Sequence, residues 1–126
     1  FPSDIYAVES QIKHHGLSVE TSLIKLTPRD GESAIRTEDI QIIIEREGED
    51  IALVMLGGVN YYTGQVFDFE TITKLAQAKG INVGFDLAHA AGNIKLELHK
   101  WGVDFAVWCS YKYLNSGPGS VAAAFE

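Results

Sequence analysis

Ile81-Asn82-Val83-Gly84-Phe85-Asp86 is a short apolar run that follows Gly80 directly and ends on an acid. A run of this length between a glycine stop and an acid reads as a strand, and the continuous apolar run of residues 51–56 suits one buried on both faces. Upstream, Asp68 stands before Ile72, Leu75 and Ala76 at helical spacing, so a helix capped by Asp68 and stopped at Gly80 is expected. Further back, residues 51–56 form a second apolar run, and Thr37 is expected to cap a helix through Ile40, Ile43 and Ile44 that ends at Gly48. Downstream, residues 94–100 should form a short helix and residues 103–109 a third buried strand. Strands separated by helices make βαβ units, so the fold class is α/β: a mostly parallel sheet with flanking helices in three layers. The final strand, residues 120–125, is different. Only about ten residues, including Gly117-Pro118-Gly119, connect it to Cys109, which is short for a parallel crossover. It is expected to run antiparallel. At the other end, residues 4–15 put Ile5, Val8 and Ile12 on one helical face, with Ser3 or Asp4 as cap and Gly16 as stop. Residues 17–26 alternate loosely and are read as a strand, and residues 27–31 as a turn.

The chain has 126 residues, about one domain's worth. Its 17 acids against 10 bases give a net charge of −7, which argues against a nucleic-acid or anionic-membrane surface. No apolar run approaches the roughly 18 residues of a membrane-spanning helix. A single cysteine, Cys109, excludes an internal disulfide and a multi-cysteine metal site, and fits a reducing compartment such as the cytoplasm. The chain opens on Phe1-Pro2-Ser3-Asp4 without an initiator methionine and stops in an apolar stretch. It is therefore expected to be the interior of a longer protein, residues 1–126 forming part of one large domain.

In an open parallel sheet, ligands sit beyond the carboxyl ends of the strands. Those ends carry Gly57-Gly58-Val59-Asn60-Tyr61-Tyr62 after the first strand, Asp86 and His89 after the second, and Ser110, Tyr111 and Lys112 after the third. An acid, an imidazole, a hydroxyl, a phenol and an amine are thus brought to one edge. Each has a structural alternative that stays open here. Asp86 can cap the next turn, His89 can be a structural histidine, Lys112 a solvated charge, and Tyr61 and Tyr62 packing residues. Gly57-Gly58 can be a turn, although glycines also let a ligand approach the backbone. Lys112 lies among Trp108, Cys109, Tyr111, Tyr113 and Leu114, so its amine is expected to be desolvated, with a lowered pKa and nucleophilic character. A Schiff-base lysine with an aspartate for a protonated ring nitrogen is the minimal pair for pyridoxal phosphate.

At these residues the sequence resembles a known family. Gly84-Phe85-Asp86-Leu87-Ala88-His89-Ala90, Trp101-Gly102-Val103-Asp104-Phe105-Ala106 and Trp108-Cys109-Ser110-Tyr111-Lys112-Tyr113-Leu114-Asn115 are similar to kynureninases. These belong to the fold-type-I pyridoxal-phosphate enzymes, in the class-V branch with cysteine desulfurases. The resemblance covers residues 1–126 and corresponds to the middle of the family's large domain. It implies hydrolysis of the Cβ–Cγ bond of kynurenine or 3-hydroxykynurenine, giving anthranilate or its 3-hydroxy form and alanine. It also implies pyridoxal 5'-phosphate as cofactor, a small amino-acid substrate and a homodimer. By the same resemblance Lys112 is the Schiff-base lysine, Asp86 the partner of the ring nitrogen, Phe1 a residue stacked on the ring and Asp4 a second carboxylate nearby. His89 is implied beside the ring, Ser110 and Tyr111 toward the phosphate, and Tyr111 as a candidate acid. Relatives can carry a phosphate-binding hydroxyl at the position of Gly57, where a glycine offers only its backbone N–H. The isolated chain is expected to be inactive.

The alternatives are a cysteine desulfurase or aminotransferase of the same branch, and a non-catalytic α/β module. A dinucleotide-binding unit is disfavoured, because Gly117-Pro118-Gly119 precedes a strand rather than a helix and no G-x-G-x-x-G occurs.

Overall fold

The computed structural model describes residues 1–126. The three apolar runs form parallel strands β1 (Leu53–Gly57), β2 (Asn82–Asp86) and β3 (Phe105–Cys109), and β4 (Ala122–Phe125) joins them antiparallel, in the order β1-β2-β3-β4. Register is set across the sheet by Gly57 opposite Asp86 and Asp86 opposite Val107. The carboxyl ends of β1, β2 and β3 therefore lie at one edge. Asp104 reinforces that register, its Oδ2 accepting from the Val83 N–H at 2.7 Å.

Side chains alternate between the two faces of a sheet. Val83, Phe85 and Ala106 point to one face, where they are fully buried with Ile72 and Ala76 of α4 (Phe69–Gln77) and Ile40 and Ile44 of α3 (Thr37–Glu47). Phe69 anchors this layer between the Phe85 ring, 4.9 Å away, and the Trp101 ring, stacked at 4.8 Å. Trp101 ends α5 (Leu98–Trp101). Gly58 has a packing reason, since a Cβ there would lie 2.7 Å from Leu87 Cδ2 and 2.8 Å from the Phe69 ring. The opposite face is far less covered. It meets the N-terminal end of α1 (Pro2–His14), a helix that buries none of its residues.

Several expectations need correction. Residues 17–26 do not form a strand: Val19–Ser22 is one helical turn, α2, and Leu17 and Ile24 stay exposed. The segment pairs with no strand of the sheet, so nothing takes up its ladder bonds. Helix α1 starts at Pro2, with Phe1 rather than Ser3 or Asp4 in the cap position and no side-chain cap. Proline is pre-set for a first turn and has no N–H to satisfy there. Thr37 is the first residue of α3 rather than its cap, and Arg36 occupies that place. The helix expected over residues 94–100 is shorter and later, because Ile94 and Leu96 pack individually against the core before α5 begins. Asp68 does cap α4, accepting from the Thr71 N–H at 3.0 Å.

Candidate active site

A cleft of about 350 Å³ opens at the carboxyl ends of β2 and β3. Among its walls are Phe1, Asp4, Asp86, His89, Tyr111 and Lys112. Six of the eight singled-out residues are thus brought together. Gly57 and Ser110 are not among the lining residues. Gly57 sits directly beside Asp86 in register and is open, since a Cβ there would meet nothing nearer than the Val59 carbonyl at 3.8 Å. The Ser110 hydroxyl is occupied internally, donating to the Val121 carbonyl at 2.6 Å and lying 2.9 Å from the Ser120 hydroxyl.

Asp86 is the last residue of β2, and one of its oxygens accepts from the Ala88 N–H at 2.8 Å. The bond closes the turn after the strand and fixes the carboxylate at the mouth of the cleft. The capping and site readings of Asp86 are thus compatible. Asp4, from the first turn of α1, adjoins it. Burial, and next the charge of Asp86, push the Asp4 carboxyl above its ordinary value of 3.8. Two carboxylates in one cleft form a site that favours a cation or a protonated nitrogen.

Lys112 is carried on the turn after β3, closed by the Asn115 N–H donating to the Lys112 carbonyl at 3.0 Å. Its Nζ lies 3.1 Å from Cys109 Sγ, 3.3 Å from the Tyr111 hydroxyl and 4.5 Å from the centre of the Tyr111 ring. The expectation of a lowered amine pKa is overturned. The Cys109 hydrogen bond raises it and outweighs desolvation, which lowers it, so Lys112 is held as an ammonium in this arrangement. Cys109 shifts the opposite way: burial raises its thiol, but the hydrogen bonds from Lys112 and Tyr111 prevail and its pKa is lowered. The two shifts have one cause: the Lys112 amine and the Cys109 sulfur each favour the other's charged form.

Cys109 is the site residue that sequence reasoning missed, having been read for its redox compartment and as part of the surroundings of Lys112. Strand parity was a usable signal. Asp86 pairs with Val107, so Val107 and Cys109 share the face of Asp86. Tyr61 also belongs near the cleft, edge-on to Phe1 with ring centres 5.2 Å apart. A second depression, of about 410 Å³, lies against His89 and Lys112 and is completed by Tyr113 and Asn115.

The model of the aminotransferase class-V family matches residues 11–124. The chain is 59% identical over 125 residues to the kynureninase of Homo sapiens, covering 99% of this chain and 27% of that one. It is 61% identical to the kynureninase of Koribacter versatilis, covering 99% and 30%. The chain thus spans less than a third of the length of these curated relatives. Among solved structures, it resembles the cysteine desulfurase of Thermococcus onnurineus NA1 with a TM-score of 0.71 at 22% identity, covering 88% of this chain and 26% of that one. The ureidoglycine-glyoxylate aminotransferase of Bacillus subtilis gives a TM-score of 0.64 at 20% identity, covering 72% and 23%. These two likenesses show the fold. The strand-end cleft and the family match over residues 11–124 lead to one assignment: the chain belongs to the aminotransferase class-V family.

Proposed function

We propose that this chain is the cofactor-binding core of a pyridoxal-phosphate-dependent hydrolase that cleaves the Cβ–Cγ bond of L-kynurenine or 3-hydroxykynurenine. Water is consumed, and anthranilate or 3-hydroxyanthranilate is released with L-alanine, a step in tryptophan breakdown toward NAD. The observation that carries the reading is one cleft that Asp4, Asp86 and Lys112 line together. Identity of about 60% to kynureninases over almost the whole chain supports this substrate above others of the class.

The residues fit pyridoxal phosphate. The cleft is of small-ligand size, with an acid for a ring nitrogen, an amine for an aldehyde, and apolar walls at Val107 and Ala122. When bound, the cofactor supplies an electron sink for carbanions at the substrate carbons. Asp86 would hold the ring nitrogen and favour its protonated form, which deepens that sink, and Asp4 would add negative potential beside it. Phe1 offers an aromatic face. Lys112 must lose its ammonium proton before its Nζ can attack an aldehyde, and Cys109 Sγ at 3.1 Å is an acceptor in reach. As a free amine, Lys112 Nζ would take the proton from the substrate α-carbon and hold it as its own ammonium proton until it is given back. Tyr111, with its hydroxyl 3.3 Å from Nζ, is suited to give the β-carbon the proton it needs once the Cβ–Cγ bond is broken. The Gly57 N–H, Ser110 and Tyr111 are the phosphate-side candidates. The whole protein is a homodimer and works in the cytoplasm. No helix is long and apolar enough to cross a membrane.

The test is stoichiometric. The full-length holoenzyme given L-kynurenine should release anthranilate and alanine in equal amounts. Release of alanine from L-cysteine instead, or keto-acid products alone, would assign it to another reaction of the class.

A further inference from the structure

Asp86 and Lys112 stand on different turns, one after β2 and one after β3, and a catalytic spacing between them needs something that sets the turns against each other. Gly92 lies where they meet. It has φ +78°, and a Cβ built there would fall 2.9 Å from Leu114 Cδ2, 3.1 Å from the Tyr113 carbonyl carbon and 3.2 Å from its oxygen. The backbone that follows Lys112 therefore rests directly on the turn that follows Asp86. Three neighbouring features tighten this seat. Asn93 Nδ2 donates to the His89 carbonyl at 3.0 Å, closing the first turn. The second is closed by the Ser116 N–H on the Ser110 carbonyl at 3.1 Å. Asn115 holds a positive φ of 56°, uncommon for a residue with a side chain, and its amide bonds the Lys112 carbonyl. The His89 and Tyr113 rings meet edge-on across the junction, their centres 6.2 Å apart.

We propose that Gly92 is a positioning residue: its missing side chain lets Tyr113 and Leu114 seat against the Asp86–His89 turn and thereby fixes Lys112 relative to Asp86 and Cys109. The inference rests on the proposed role of Lys112, but its first readout does not. Placing a Cβ at Gly92 requires the Tyr113 backbone to give by a few tenths of an ångström. Since a misplacement of about 1 Å can cost about a hundredfold in rate, this displacement should cost about threefold to tenfold in kcat with KM little changed.

The experiment compares Gly92→Ala with Gly80→Ala in the full-length protein. Gly80 has nearly the same left-handed backbone, φ +76°, but nothing within 4 Å of its would-be Cβ. Both variants carry the same backbone strain, and only one carries the contact. In cofactor-free protein, the pH dependence of Cys109 alkylation, read by peptide mass spectrometry, reports how the turn that carries Tyr111 and Lys112 sits against Cys109, with no cofactor involved. Gly92→Ala should move its midpoint to higher pH and Gly80→Ala should not. In holoenzyme, Gly92→Ala should lower kcat and shift the pH at which the lysine-bound chromophore changes colour. Leu114→Ala removes part of the seat without adding strain, and it should shift the alkylation midpoint the same way. It is the deciding variant where Gly92→Ala does not fold. Equal midpoints in wild type, Gly92→Ala and Leu114→Ala, or equal shifts in Gly92→Ala and Gly80→Ala, would overturn the proposal. If the alkylation midpoint shifts as expected while the wild type forms no chromophore on Lys112, Gly92 stands and the cofactor reading fails.

Discussion

Asp4 and Asp86 illustrate how a site residue works against stability. Side by side in a partly buried cleft, both cannot be charged without cost, and burial followed by the Asp86 charge raises the Asp4 pKa above 3.8. A carboxyl raised in the folded state destabilises that state at neutral pH, and the penalty vanishes once folded and unfolded forms are both protonated. Asp4→Asn should therefore raise the melting temperature of the cofactor-free protein at pH 7, and the gain should disappear as pH falls toward 3.8. Asp86→Asn differs, because the asparagine oxygen can still accept from the Ala88 N–H and the turn survives. Its melting temperature should stay near wild type while turnover collapses, since losing a charge-assisted bond to a ring cation forfeits about 1.5–3 kcal/mol. Cys109 gives a third test. Its alkylation midpoint in cofactor-free protein should lie below that of an unperturbed thiol. Lys112→Ala should lift it to that value or beyond, because burial, which raises it, remains. At this scale the sequence made the acid and the amine legible through their places at strand ends. The Lys112–Cys109 pairing was not legible, because it depends on how the turn after β3 folds back.

Elements were readable where a local signal and a packing partner agreed. Asp68 precedes an apolar-periodic segment, and its carboxylate accepts from the Thr71 N–H. Asp68→Ala should cost about 1 kcal/mol of stability in chemical denaturation, the usual worth of such a cap. The parallel strands were readable because short apolar runs such as Val83 to Phe85 stand between segments of helical period. The fully buried Phe85 holds the sheet to Phe69, and Phe85→Ala should cost about 3–5 kcal/mol. Elements went wrong where only the local signal existed. Residues 17–26 alternate as a strand would, yet no neighbouring strand accepts them and only the turn Val19–Ser22 is regular. Thr37 has the right side chain for a cap and stands one position late. Ladder partners and exact helix starts are tertiary facts that no window of sequence contains.

The sheet is finished on one face and open on the other. Val107 on β3, Leu53 on β1 and much of the surface of α1 remain exposed, and Tyr62 and Val121 are over 80% exposed. Apolar surface of this extent is suited to be covered by other chain or by a second copy. The proposed dimer follows the same logic. Arg29 and Arg36 are engaged by Asp39 and Glu32 on the surface, and Arg46 by Glu47, so none is free to grip a substrate carboxylate in the cleft. That grip must come from outside these residues, and a two-fold pair is the commonest way to supply it. Sedimentation of the full-length holoenzyme should give a dimer at micromolar concentration, and a fully active monomer would contradict that expectation. The α/β order, the parallel core and the antiparallel last strand were all legible from the spacing of apolar runs and the short Gly117-Pro118-Gly119 connection. The near-bare second face was not, because a three-layer expectation assumes that both coverings lie in the same stretch of chain. The central claim is that the amine of Lys112 is where the cofactor is held. Borohydride reduction of the full-length holoenzyme followed by peptide mass spectrometry tests it most directly. The account predicts a stable pyridoxyl group on Lys112 and none in Lys112→Ala; a pyridoxyl group on any other lysine, or the same labelled peptide from Lys112→Ala, would contradict it.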